Sequence, residues 1–149
     1  WLYPAQIVAD TAEELRQAIE ERNMCFTYNI PDTLRLNGNY SLMHAIFRNL
    51  MENSLRYAGK GTAMHAECYS EDEEFCHFRF YDTGQGVEAQ HLSRLFERFY
   101  RVSEGRTREN GGTGLGLSIV RNAVLFHSGN ISVRNRAGGG LEFIFSLKK

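Results

Sequence analysis

Apolar residues recur at near-helical spacing from the start of the chain. Ile7, Ala12, Leu15, Ala18 and Ile19 predict one helix that ends in the charged turn Glu20-Glu21-Arg22. Met24 to Ile30 alternate loosely and carry β-formers, Pro31-Asp32 supplies a turn, and Leu34 to Leu36 can pair back as a short second strand. Asn37 or Asn39 then caps a helix running to about Tyr57, ended by Ala58-Gly59-Lys60-Gly61. Two alternating runs, Thr62 to Tyr69 and Phe75 to Tyr81, read as a hairpin whose acidic turn, Ser70-Glu71-Asp72-Glu73-Glu74, is solvated. A short helical stretch follows from Ala89 to Phe96, and then a loop from about Arg98 to Gly112. Loops longer than about 12–15 residues are uncommon unless functional. From Gly114 an apolar helix runs to His127, with Gly129 as its stop. Strands Ile131–Val133 and Leu141–Leu147 surround Gly138-Gly139-Gly140. This order predicts one α+β domain over residues 1–149, a mixed sheet of about five strands with about three helices on one face.

The length of 149 residues allows one sizeable core. A content of 42% apolar and 23% charged residues, with 14 Gly against 2 Pro, is that of a folded chain rather than a disordered one. Lys and Arg number 17 against 18 Asp and Glu, so the net charge of −1 gives no reason to expect a nucleic-acid partner. Apolar runs reach only about four residues, as in Ala123-Val124-Leu125-Phe126, against the roughly 20 that cross a bilayer. Cys25, Cys68 and Cys76 form no C-x-x-C and read as small hydrophobes on strands in a reduced, cytoplasmic setting. The opening Trp1-Leu2-Tyr3, without Met or a leader, reads as the start of a piece of a longer protein.

Three constellations carry chemistry. Asn49, Asn53 and Arg56 fall within about 60° of one another on a helix, at the edge of the apolar face made by Met43, Ile46, Phe47, Leu50 and Met51. Carboxamide oxygens there can hold Mg²⁺ while phosphates and waters complete its shell, and Arg56 adds positive charge for phosphate. Asp82-Thr83-Gly84-Gln85-Gly86 follows a strand directly, so its carboxylate can accept from an exocyclic amine while the glycines let the backbone pass close to a flat ligand. Gly111-Gly112-Thr113-Gly114-Leu115-Gly116-Leu117 runs into a helix and offers backbone N–H groups to phosphate. It lacks the dinucleotide spacing and follows a loop, which disfavours a dinucleotide fold. Between Arg94 and Arg121 six Arg face three Glu, a local basic excess beside the glycines.

In this order the pieces resemble a known family. Asn49-Leu50-Met51-Glu52-Asn53-Ser54-Leu55-Arg56-Tyr57, Asp82-Thr83-Gly84-Gln85-Gly86, Leu95-Phe96-Glu97-Arg98-Phe99-Tyr100-Arg101 and Gly112-Thr113-Gly114-Leu115-Gly116-Leu117 are similar to the N box, first glycine box, F box and second glycine box of the catalytic ATP-binding domain of sensor histidine kinases. The resemblance implies the two-layer α/β sandwich of the Bergerat ATP-binding fold, with ATP and Mg²⁺ as cofactors. It assigns Asn53 to Mg²⁺ with Asn49 near metal and phosphates, and Arg56 and Tyr57 to the phosphate and ribose side. Asp82 reads the adenine amine, with Gly84 and Gly86 making room. Residues 98–112 become the ATP lid, with Arg98 or Arg101 approaching the γ-phosphate. Gly112, Thr113, Gly114, Leu115 and Gly116 form the phosphate cradle. Two departures stand out: Leu141 occupies a position where the family usually has Thr, and Ser54 replaces the common Ala, a change expected to be harmless.

Absences refine the expectation. Hydrolytic relatives such as gyrase and the MutL mismatch-repair protein carry a water-activating Glu four residues before the metal-binding Asn, whereas this chain has Asn49. Glu52 points about 100° away from Asn53 on the helix. None of His44, His65, His77, His91 or His127 lies in the family's phospho-acceptor motif, so they read as structural or surface histidines. The resemblance therefore implies a histidine protein kinase part, unable to phosphorylate itself in isolation. Its partners would be a dimerisation and phosphotransfer hairpin of the same protein and, downstream, a response regulator receiver domain, with any membrane anchor in sensor regions outside this chain. A degenerate nucleotide-binding module and a Bergerat-fold serine kinase are the alternatives. The intact glycines and asparagines argue against the first; the F box and Arg-containing lid argue against the second.

Overall fold

The computed structural model describes residues 1–102 and 114–149. Helices α1 (Pro4–Glu14) and α2 (Arg16–Glu21) precede strand β1 (Cys25–Asn29), and helix α3 (Tyr40–Tyr57) leads into strands β2 (Ala63–Glu71) and β3 (Phe75–Asp82). A short helix α4 (Ala89–Leu92), helix α5 (Gly116–Phe126), and strands β4 (Ile131–Asn135) and β5 (Leu141–Lys148) complete the described chain. The five strands form one mixed sheet in the order β1-β2-β3-β5-β4, with β1 parallel to β2 and every other pair antiparallel.

Alternation assigns each strand its two faces. On β3, Cys76, Phe78, Phe80 and Asp82 are buried and point toward the helices; on β5, Leu141, Phe143, Phe145 and Leu147 do the same. Asp82 is thus in phase with the core, a carboxylate at the end of an apolar row. Phe47 of α3 packs edge-on against Phe78 and Phe145, with ring centroids 6.0 Å from each. The opposite sheet face carries an ion-pair ladder: Glu67 binds Arg79 at 2.6 Å, and Glu142 lies between Arg79 and Arg134.

Asn39 is the cap of α3, its side chain accepting from Leu42 N–H at 3.0 Å. His127 fastens the end of α5 to that start: its Nε2 accepts from Asn39 N–H at 3.1 Å, while its Nδ1 lies 2.7 Å from Ala123 O. This geometry selects the Nδ1–H tautomer. The acidic hairpin turn is more than a solvated charge run, because Asp72 accepts from both Glu74 N–H and Phe75 N–H at 2.8 Å.

Four expectations need correction. The N-terminal helix breaks at Leu15: buried Thr11 donates its hydroxyl to Ile7 O one turn back, a bond that bends helices, and Leu15 then turns to ψ 6°. Leu34–Leu36 does not pair back on β1; Leu36 instead bridges to Leu2, with reciprocal N–H···O bonds of 2.8 and 2.9 Å. The stretch 89–96 is helical only to Leu92. Ser128, at φ 61°, takes the left-handed position after α5 in place of Gly129.

Candidate functional site

The N-box edge of α3 flanks one side of the site. Asn49 donates its amide to Ala45 O at 2.7 Å, so its remaining polar atom is the oxygen. A Cβ on Gly116 would lie 3.1 Å from that oxygen, which places the start of α5 against Asn49. Asn53, one turn on, is half-buried, and its side chain makes no hydrogen bond among the described residues. Arg56 reaches Glu52 at 3.5 Å, Glu52 also accepts from Arg48 Nε at 2.9 Å, and Arg48 bonds Glu14 at 2.7 Å. With both carboxylate oxygens facing guanidinium groups, Glu52 is unsuited to activate water. The hydrogen bond from His44 is the main reason the Glu14 carboxyl titrates below its ordinary range, with Arg48 adding to it against the effect of burial. Tyr57 closes the row, partly exposed at the last turn of α3.

Asp82 sits at the floor, only 4% exposed. Its Oδ1 accepts from Gly84 N–H at 3.0 Å and Leu141 N–H at 3.3 Å, and its Oδ2 accepts from the Ser54 hydroxyl at 2.9 Å. A carboxylate offers about four acceptor sites. Three are filled by the protein, and one remains on Oδ2.

The first glycine box is shaped by the protein's own close approaches. A Cβ on Gly84 would stand 2.5 Å from Ala58 O at the end of α3, and one on Gly86, at φ 70°, would run into Asn135 Oδ1. Asn135 clamps the loop by accepting from Val87 N–H at 3.0 Å and donating to Val87 O at 2.7 Å. On the other side, Phe99 N–H donates to Gly114 O at 2.7 Å, so the F box and second glycine box meet at the base of the intervening segment. Gly114, at φ 77°, admits the Phe99 backbone where a Cβ would come within 2.7 Å. Arg98 is exposed, its guanidinium 5.4 Å from the Phe99 ring centroid, and Arg101 is half-buried. Leu115 and Gly116 lie at the start of α5, where Leu115 is the N-cap residue. Gly112 and Thr113, with most of the expected lid, lie outside the described residues.

The structure therefore groups Asn49 with Gly116, and Asp82 with Gly84 at the end of α3. Sequence reasoning missed Ser54, Asn135 and the Leu141 N–H as partners of this site. A serine on the buried face between Leu50 and Leu55 was a signal for the first. No local pattern announced the other two. Among the described residues no three His, Cys, Asp or Glu side chains gather to hold a metal, so a cation here would depend on amide oxygens and ligand phosphates.

The sequence profile described as "Histidine kinase-, DNA gyrase B-, and HSP90-like ATPase" matches residues 38–149, three quarters of the chain, and the chain belongs to that family of ATP-binding domains. It is 34% identical over 132 residues to the signal transduction histidine-protein kinase BaeS of Escherichia coli (strain K12), covering 89% of this chain and 28% of that protein. It is 33% identical over 135 residues to the sensor protein SrrB of Staphylococcus aureus (strain NCTC 8325 / PS 47), covering 90% of this chain and 23% of that one. The chain thus spans about a quarter of the length of these relatives. Its fold matches the catalytic domain of histidine kinase ThkA with a TM-score of 0.84 at 21% identity, over 97% of this chain and 91% of the other. The family, the two-layer α+β architecture and the likeness to the catalytic ATP-binding domain of sensor histidine kinases agree with the sequence-based expectation. No helix among the described residues is long and apolar enough to cross a membrane.

Proposed function

We propose that this chain holds Mg²⁺-ATP and presents its γ-phosphate to a histidine on a helical hairpin outside the chain, as the catalytic part of a two-component sensor kinase. The observation that carries this reading is the buried Asp82 carboxylate with a single acceptor site left open, suited to one hydrogen of an adenine amine. The residues fit the cation as well: the Asn53 amide is unpartnered among the described residues, and the Asn49 oxygen is left available by its N–H bond to Ala45. Bound Mg²⁺ would neutralise phosphate charge. Asn53 and Asn49 would hold it, the start of α5 with Gly114, Leu115 and Gly116 would face the phosphates, and Arg56 and Tyr57 would flank phosphate and ribose. Arg98 or Arg101 would meet charge on the transferred group.

Neither Asn49 nor the doubly paired Glu52 can serve as a water-activating base, which supports transfer to an external acceptor over hydrolysis. The chain's partners are then the phosphotransfer hairpin of its own protein and a response regulator, and the domain works on the cytoplasmic side of a membrane-anchored sensor. Calorimetric titration of the chain with ATP and GTP in Mg²⁺ tests the nucleotide assignment. Tighter binding of ATP is expected; equal affinity for the two would refute it.

A further inference from the structure

From α4 into the F box the chain is wound in three-residue turns. The N–H groups of Arg94, Glu97 and Tyr100 each donate to the carbonyl three residues back, at 3.0, 3.0 and 3.3 Å. Side chains three apart eclipse in such turns, so His91, Arg94, Glu97 and Tyr100 share one polar edge. Leu92, Leu95 and Phe96 make the apolar edge: Leu95 is buried, and Phe96 packs edge-on against Phe143 with ring centroids 6.1 Å apart. The polar edge is laced together. His91 Nδ1 is hydrogen-bonded to the Tyr100 hydroxyl. Arg94 lays its guanidinium over the Tyr100 ring, 4.4 Å from the centroid, and Glu97 holds it there through two bonds of 3.0 and 3.2 Å.

From this arrangement we infer that His91 is a positioning residue for phosphoryl transfer: by holding the Tyr100 phenol it fixes the stretch of backbone from which Arg98 and Arg101 reach the transferred group. Phe99, at φ 66°, turns the chain, and its N–H donates to Gly114 O at 2.7 Å. That bond pins the turn to the second glycine box, and the His91–Tyr100 bond pins the next residue to α4. The two arginines flank the pinned pair. An arginine loses much rotamer freedom on meeting a phosphate, and a root that also wandered would add to that cost. A misplacement of about 1 Å in a group that meets the reacting atoms can cost about 100-fold in rate. Asp82 and Asn53 stand on β3 and α3, so the row bears on transfer rather than on holding the nucleoside diphosphate. The inference rests on the γ-phosphate role proposed above for Arg98 or Arg101.

The test measures transfer of radiolabelled γ-phosphate from saturating ATP to the phosphotransfer hairpin proposed as partner, together with ADP affinity by calorimetry. It compares the wild-type chain with His91→Ala, His91→Asn, Tyr100→Phe, the double variant His91→Ala/Tyr100→Phe, Arg98→Ala and Arg101→Ala. His91→Ala and Tyr100→Phe are each expected to slow transfer roughly fivefold, the worth of one neutral hydrogen bond, while affinity for ADP, which lacks the γ-phosphate, stays within about twofold of wild type. The double variant should be no slower than either single one, because both remove the same bond. His91→Asn, whose amide oxygen can stand near the place of Nδ1, should recover most of the rate. An unchanged rate in Tyr100→Phe, which keeps the ring under Arg94, would overturn the inference even if His91→Ala failed to fold. Slowing that multiplies in the double variant would overturn it too, as would a matching loss of ADP affinity, the mark of a merely structural role. If the wild-type chain transfers nothing, or neither arginine variant is slowed, the reading beneath falls and takes this one with it. If those controls hold and only the His91 and Tyr100 variants behave as wild type, the role of His91 alone is lost.

Discussion

Replacing Asp82 by Asn changes one atom at the floor of the site and tests its chemistry with little disturbance to the fold. The new carbonyl oxygen can keep the bonds from Gly84 and Leu141, which lie 3.0 and 3.3 Å from Oδ1. The new amide nitrogen then replaces Oδ2, 2.9 Å from the Ser54 oxygen. That hydroxyl can rotate to accept, since it has lone pairs as well as a proton. The internal network survives in neutral form, at a stability cost of about 1 kcal/mol or less. The open position changes character, however, from a charged acceptor to an N–H donor facing the adenine amine. Loss of a charge-assisted hydrogen bond, about 1.5–3 kcal/mol, corresponds to roughly a 10- to 150-fold weaker affinity for ATP, and equally for ADP. Isothermal calorimetry gives the affinity and urea unfolding gives the stability. A folded variant that binds ATP within about twofold of wild type would show that Asp82 makes no such bond to the nucleotide, because that bond is worth several times that factor.

Two further predictions concern α3 and the end of α1 that pairs with it. Asn53→Ala should remove the Mg²⁺ dependence of ATP binding while the fold remains, since the amide has no partner among the described residues; titrations with Mg²⁺ and with chelator would show it, and an unchanged metal dependence would move the ligand elsewhere. Glu14→Gln should cost under about 1 kcal/mol at neutral pH, because its pairs with His44 and Arg48 are partly exposed. The folded-state pKa of Glu14 is depressed, so its contribution is present above the unfolded value near 4.5 and is lost as pH falls through the lower folded value. Urea midpoints of the two proteins should therefore converge in acid, and a difference that grows there would contradict the assignment.

What could be read from the sequence followed local periodicity. Asn49, Asn53 and Arg56 share an edge because a helix repeats every 3.6 residues, and Asp82 faces the helices because a strand repeats every two. Contacts across the chain left no such trace. Leu36 pairs with Leu2 rather than β1, a choice made by tertiary packing of a segment too short to carry a pattern. Ser54 read as a harmless replacement because sequence does not show where a hydroxyl sends its proton, and here it goes 28 residues along the chain to Asp82. Gly84 and Gly86 were legible as close approaches, but not that Ala58 and Asn135 are the protein groups that approach them.

On the proposed reading, this chain supplies ATP and the acceptor histidine comes from outside. The most direct measurement is transfer of the γ-phosphoryl group from radiolabelled ATP, comparing the chain alone with the chain plus the phosphotransfer hairpin proposed as its partner. Negligible label is expected on the chain alone and acid-labile label on the hairpin when both are present, slowed by Arg98→Ala or Arg101→Ala. Robust labelling of the isolated chain, or no transfer to a competent hairpin, would contradict it.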